Sequence, residues 1–312
     1  MSRVRVAVIG VGKIALDQHL PVIAANEGFQ LVGVVSQRGA RVEGVPTYHA
    51  AAELYAAVEV DAVAICTPPH VRHAIAREAL AAGKHVMLEK PPAATLAEMH
   101  DLREAARATG RVIFATWHCR YNRAVGEAKA RLRGKRLKRL AIQWEEDVRR
   151  WHPGQEWIWD AGNFGVFDPG INALSILSEI APAPLFVRSA KLSYPENRDT
   201  PIAASLLFSS LAAPEGAPLT GEFDWRQQGE QRWDIDVETE DGLKLLLSHG
   251  GSRLEVDGRL VVEAPIEEYA AIYAHFAELL RKGASDMDAI PFELVADAFL
   301  VGARRVVEPF HW

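Results

Sequence analysis

At 312 residues, with 49 % hydrophobic and 24 % charged side chains, the chain has the make-up of a globular protein long enough for two ordinary domains. A formal charge of -6 at pH 7 argues against a duplex-binding surface, so no nucleic-acid partner is expected. Two cysteines, Cys66 and Cys119, are too few for a disulfide scaffold and lack the spacing of a thiolate metal site, so no metal is expected either. No run of about 20 apolar residues appears, and no leader with a small-residue cleavage site. The expected location is the cytoplasm, with no membrane partner.

The first strand is predicted over 4–9, apolar apart from Arg5 and stopped at Gly10. A helix follows Gly12 to about residue 26, then an apolar strand over 31–35. An alanine-rich, helix-like stretch covers 48–58, and a third apolar run covers 62–66. A helix over 70–82 ends at Gly83, and a short strand over 85–88 comes next. A helix over 96–109 is closed by Gly110, and a fifth strand covers 112–116. Short apolar strands alternating with helices predict a parallel sheet covered on both faces. This first domain is expected over 1–118.

The remainder has another texture. A helix is predicted over 122–132. Strands are predicted over 139–144, 186–192, 203–209, 219–225, 231–239, 243–247, 253–256 and 259–262. Several alternate: Trp233, Ile235 and Val237 point one way, and Asp234, Asp236 and Glu238 the other. That is the pattern of antiparallel strands with one solvated face. Asp257-Gly258 signals a hairpin. Two helices close the chain, one over 267–281 with Ile272, Phe276 and Leu279 on one stripe, one over 291–304 opened by Pro291. The basic run over 131–139, with Lys135, Arg136, Lys138 and Arg139, reads as a solvated element end, or alternatively as a phosphate patch. The fold class is α/β. It joins a Rossmann dinucleotide-binding domain to a second α/β domain over 119–312 with an open, predominantly antiparallel sheet. That exposed sheet face makes a homodimer the expected assembly.

Gly10-Val11-Gly12-Lys13-Ile14-Ala15 sits between a strand and a helix. Gly10 permits a tight turn, Gly12 lets backbone approach a pyrophosphate, and Ala15 lets the helix pack close. The helix start, near Lys13 and Ile14, offers amides to phosphate. The next strand ends in Ser36-Gln37-Arg38, without the acidic residue that would hold a ribose and repel a 2′-phosphate. Ser36 can donate a hydrogen bond and Arg38 can pair with phosphate, which favours NADP or dual use over strict NAD. Thr67-Pro68-Pro69-His70 lies past the third strand, where ligands of such sheets bind. Thr67 and Pro68 are expected beside the cofactor, and His70 either caps the next helix or joins them. Glu89-Lys90-Pro91 follows the fourth strand at the same edge. Glu89 and Lys90 are read as contacting cofactor, and Lys90 as able to hold a substrate hydroxyl and favour its deprotonated form. A surface lysine paired with a glutamate is the alternative.

These segments, with Gly165-Val166-Phe167-Asp168-Pro169-Gly170-Ile171-Asn172, resemble the glucose–fructose oxidoreductase and inositol dehydrogenase family. The resemblance implies a Rossmann domain, a second domain with an open mixed sheet, and NAD(P)-dependent oxidation of a sugar or polyol. The family commonly has histidine where this chain has Asn172, which moves the base role toward Asp168. Further segments are similar to the family's bacterial aldose 1-dehydrogenases acting on L-arabinose and D-galactose. They are residues 13–21, 115–118, 145–155 and 157–159, with Phe167 through Asn172. That likeness implies substrate contacts by Lys90, Glu146 and His152. His118 and Trp151, in the same matching segments, are added as candidate substrate contacts. The residues agree: Asp168 and Asn172 are four apart and share a helical face, while Glu146, Asp147 and His152 offer acceptors and a switchable donor. Trp144, Trp151, Trp157 and Trp159 crowd one stretch, either as sugar platforms or as core.

The implied reaction oxidises the anomeric C1 hydroxyl of an aldopyranose to a lactone, with Asp168 as base and Lys90 and Asn172 orienting. Lys90, another group or water stands as the alternative base. Pro169 leaves open whether Asp168 caps its helix, which would weaken it as a base. A dehydrogenase of another sugar or an inositol-type polyol, and a non-catalytic sugar or cofactor sensor, remain as alternative functions.

Overall fold

The computed structural model describes residues 3–265 and 267–312. They fall into two compact units. The first runs to His118 and takes up Glu267–Ala289 again; the second holds the remainder and ends at Trp312. A single cut after residue 118 therefore leaves out this return of the chain.

In the first unit, β1 (Val4–Ile9) leads through a π-type turn over Ala15–His19 into α1 (Leu20–Ala25). Leu20 donates its N–H to the Ala15 carbonyl five residues back, the wide turn that often marks functional sites in helices. Pro21 has no N–H to offer an i→i−4 bond, so a regular helix is already broken there. The wide turn places His19 fully out of solvent. Next come β2 (Phe29–Val35), β3 (Thr47–Tyr48), α2 (Ala51–Ala57), β4 (Ala62–Ile65), α3 (Pro69–Ala81), β5 (His85–Leu88), α4 (Leu96–Thr109) and β6 (Ile113–Ala115). The predicted helix over 48–58 thus starts later, after a short strand. All six strands are parallel in the order β3-β2-β1-β4-β5-β6. The order reverses beside β1, where ligands of such sheets bind at the carboxyl ends of the strands.

The second unit opens with α5 (Arg123–Leu132) and β7 (Leu137–Glu145), followed by α6 (Val148–Trp151) and α7 (Phe167–Ile180). Strands β8 (Leu185–Pro195), β9 (Ala203–Ser210), β10 (Leu219–Asp224), β11 (Arg232–Thr239), β12 (Lys244–Ser248), β13 (Arg253–Val256) and β14 (Arg259–Glu263) follow. The chain then enters the first unit for α8 (Glu268–Lys282) and returns as α9 (Ile290–Val301) and β15 (Gly302–Val307). The nine strands form one sheet, order β14-β13-β12-β11-β7-β10-β9-β8-β15, antiparallel except for β7 with β10 and β8 with β15. Helices α5, α7 and α9 lie side by side and pack against its strands. The predicted last helix over 291–304 is corrected: it stops at Val301, and Gly302–Val307 extends the sheet edge. Asp257 and Gly258 both have positive φ, 50° and 74°, as the predicted hairpin requires. The basic run pairs with acidic residues at or beside β11: Lys135 with Asp241, Arg136 with Glu240, Lys138 with Glu238 and Arg139 with Asp236. That ladder makes the run a solvated strand face, and its charges already have protein partners.

Candidate active site

Gly10 adopts φ +94°, and a Cβ there would stand 2.9 Å from the Thr67 nitrogen. The loop after β1 is thus pressed against the end of β4 and tolerates no side chain at this point. At Gly12 an added Cβ would meet nothing within 4 Å, so the loop is open on that side. Ala15 is completely buried, as close helix packing demands. Ile14 is half-buried, while Lys13 is exposed and pairs with Asp17 on the helix surface. Thr67 Oγ1 is buried without a hydrogen-bond partner among the described residues. An orphaned buried hydroxyl costs about 1–3 kcal/mol. A nicotinamide dinucleotide, rich in acceptors, supplies what it lacks, so these residues fit that group. Pro68 and His70 are exposed at the start of α3, and no side chain caps that helix, so His70 is not its cap.

Beyond β2, a cavity of about 870 Å³ is lined by Ser36, Arg41, Glu43, Thr47, Tyr48 and His49 among others. Ser36 is buried and its Oγ accepts the Ala40 N–H at 3.0 Å, which fixes the loop and leaves its hydroxyl proton to donate. Gln37 and Arg38 are exposed on the same loop. Arg41 was not singled out from the sequence; lying in an irregular loop, it gives no periodic signal.

Glu89, with 4 % of its surface exposed, is buried and is no surface partner of Lys90. Its Oε1 accepts from the Tyr269 hydroxyl at 2.8 Å and lies 2.9 Å from His19 Nε2. Its Oε2 accepts the Lys90 N–H at 3.2 Å. His19 Nδ1 is 2.9 Å from the Tyr273 hydroxyl. Burial works against the Glu89 charge, but the hydrogen bond and positive charge of His19 outweigh it and hold its pKa at about 2. For His19 burial likewise opposes the charge, while Cys66, Tyr273 and Glu89 outweigh it and keep its pKa well above the usual value. Arg72, also buried, donates to the carbonyls of Thr67, Glu89 and Pro91. It ties the loop after β4 to the loop after β5. His118 Nδ1 sits 2.6 Å from Glu268, and its ring stacks on Tyr269 at 6.0 Å.

In the second unit, Val166 is already helical and donates to the Pro201 carbonyl at 2.8 Å. A Cβ on Gly165 would lie 2.4 Å from that same oxygen. These contacts fix the start of α7. Asp168 falls inside its first turn and is not the helix cap. From Phe167 to Leu177 only Asp168 and Asn172 escape full burial, so they share the one open stripe. His152 Nε2 lies 3.7 Å from Asp168 Oδ2, and its ring leans on Trp225 at 5.5 Å. Trp225 Nε1 donates to Glu146 Oε1 at 3.3 Å, and Trp233 Nε1 donates to Glu146 Oε2 at 2.9 Å. Trp151 meets Trp233 edge to face at 5.5 Å and stays 42 % exposed. Trp157 is exposed as well, whereas Trp144 and Trp159 are core residues. One continuous series thus joins Asp168, His152, Trp225, Glu146, Trp233 and Trp151. It offers a proton acceptor, an oriented second carboxylate and broad apolar rings. Trp225 and Trp233 were missed from sequence in this role; the alternation of β11 marked Trp233 only as inward-facing.

A family model for oxidoreductases with an NAD-binding Rossmann fold matches residues 4–116. The whole chain aligns with galactose 1-dehydrogenase of Pseudomonas fluorescens, 45 % identical over 314 residues and covering 100 % of each protein. The chain belongs to the GFO/IDH/MocA oxidoreductase family. It is an enzyme, an oxidoreductase with a nicotinamide cofactor. The crystal structure of a D-galactose-1-dehydrogenase protein from Rhizobium etli is similar at a TM-score of 0.95 and 51 % identity, covering 100 % of this chain and 99 % of that one. KijD10, a 3-ketoreductase from Actinomadura kijaniata, shares the fold alone, at a TM-score of 0.81 and 17 % identity, covering 98 % and 100 %. Among the described residues no helix is long and apolar enough to cross a membrane.

Proposed function

We propose that the enzyme oxidises the anomeric C1 hydroxyl of an aldopyranose, D-galactose or L-arabinose, to the aldonolactone. Full-length similarity to the P. fluorescens galactose 1-dehydrogenase supports the substrate class. The observation that carries the chemistry is the open stripe of α7, with Asp168 3.7 Å from His152 Nε2. A nicotinamide cofactor held by the loops after β1, β2, β4 and β5 would supply the hydride acceptor for C1. Asp168 takes the proton of the C1 hydroxyl, so C1 gains its second bond to oxygen as hydride leaves. Lys90 orients that hydroxyl and supports the charge developing on it. Asn172 holds Asp168 or a ring hydroxyl. Glu146, His152 and His118 accept or donate to ring hydroxyls, and Trp151 covers an apolar sugar face. The two sugars share the hydroxyl pattern of most of the ring, and a site bonded to those hydroxyls uses both.

Gly10, Gly12, Lys13, Ile14, Thr67, Pro68, His70 and Lys90 surround the cofactor in this reading, while Glu89, buried and bonded to His19 and Tyr269, is withdrawn from the contact set. Ser36, Gln37 and Arg38 would face its adenosine ribose, and Arg41 lines with Ser36 the cavity beyond β2. No carboxylate stands at the end of β2 itself, which supports NADP, or use of both cofactors, over strict NAD. The exposed apolar side chains Phe186 and Leu207 on the antiparallel pair β8 and β9 support a homodimer through the sheet. Initial rates with a panel of aldoses and each cofactor test the assignment. D-galactose and L-arabinose are expected to lead the panel. Asp168→Asn is expected to lower kcat by about 10²–10⁴ while cofactor binding holds. Unchanged turnover in Asp168→Asn contradicts the base assignment.

A further inference from the structure

Buried charges close on the backbone on both sides of Lys90. The Glu89 carboxylate turns back on the next residue and accepts the Lys90 N–H. Its other oxygen is gripped by His19 and Tyr269, which are 70 and 180 residues away in the chain. Arg72 binds the carbonyls of Glu89 and Pro91, on either side of Lys90. Burying so many charges is poor economy for mere stability, since apolar side chains of like volume often serve as well or better. We propose that Glu89 is a positioning residue for Lys90, and that Tyr269 and His19 hold Glu89 in the orientation this needs. The inference rests on the role given to Lys90 above. It also gives α8 a purpose: its return to the first unit delivers Tyr269, and with it Tyr273 behind His19.

The test has one arm that is independent of activity. Residue-resolved hydrogen exchange reads the Lys90 amide in wild type, Glu89→Gln and Tyr269→Phe. Exchange at Lys90 is expected to quicken about tenfold or more in both variants. The second arm is a cycle in kcat. Glu89→Gln is expected to lower kcat about 10–100-fold alone, with the Kd for reduced cofactor within about twofold. In a Lys90→Met background the same change is expected to alter kcat less than about twofold, because its effect runs through Lys90. Unchanged protection at Lys90, or equal kcat losses in both backgrounds, overturns the proposal. Should Glu89→Gln not fold, Tyr269→Phe, which removes one hydroxyl and keeps the ring, replaces it in both arms. An enzyme that oxidises no aldose would defeat the functional reading, and the exchange arm would still decide this one.

Discussion

Around Lys90 the supporting charges are buried and bonded to one another: His19 and Glu89 have 0 % and 5 % of their side chains exposed. Around Asp168 two groups are part-exposed, His152 and Asp168 retaining 19 % and 22 %, while Glu146 behind them is buried at 5 %. The first arrangement is complete within the protein, and its bonds hold a backbone corner in place. The second keeps the Asp168 carboxylate and the His152 imidazole within reach of solvent, where a polyhydroxyl ligand exchanges for water at small cost. In the proposed reaction the buried network would hold a backbone corner, and the part-exposed pair would meet the sugar.

The comparison breaks most readily at Trp225, which is fully buried and supports both Glu146 and His152. Trp225→Ala is expected to cost about 3–5 kcal/mol of stability by calorimetry. It is also expected to abolish sugar turnover while cofactor titration still saturates. Acid sharpens the contrast next. Glu89 falls from its ordinary 4.5 to about 2 on folding. Its stabilisation is therefore present above about pH 4.5 and is lost as pH falls toward 2. His19, raised on folding, stays charged throughout that range and contributes no slope there. Wild type is expected to lose melting temperature across that window more steeply than Glu89→Gln. Equal slopes would remove the buried pair from the account. Trp233→Phe deletes one donor to Glu146 and is expected to raise KM for sugar about fivefold with little change in kcat, as lost ground-state binding does. The smallest effect belongs to α4, whose Thr95 and Glu98 form a reciprocal cap. Thr95→Ala is expected to cost about 1 kcal/mol in denaturant unfolding and nothing in kcat.

What the sequence made legible was local. The turn at Gly10, the strands over 85–88 and 253–256 and the helix over 96–109 follow from glycine punctuation and apolar runs. Asp168 and Asn172 came from the family resemblance, and their spacing of four agreed with it. The edge strand β15 was hidden because almost every residue in it is exposed, so no alternation betrays a buried face. Arg72 gave no signal, since its partners are carbonyls that no sequence displays. Glu89 with His19 and Tyr269 was out of reach for the same reason: a wide turn and a returning helix bring together residues that share no period. Local physics sets the elements, whereas the buried polar network depends on long-range assembly.

The most direct measurement follows the hydride itself. D-galactose carrying deuterium at C1 is oxidised by the enzyme, and the reduced cofactor is analysed by mass spectrometry and NMR. The account predicts one deuterium at nicotinamide C4 for each lactone formed, with slower turnover where C–H cleavage limits the rate. A product that keeps its C1 deuterium, with an unlabelled cofactor, would contradict it.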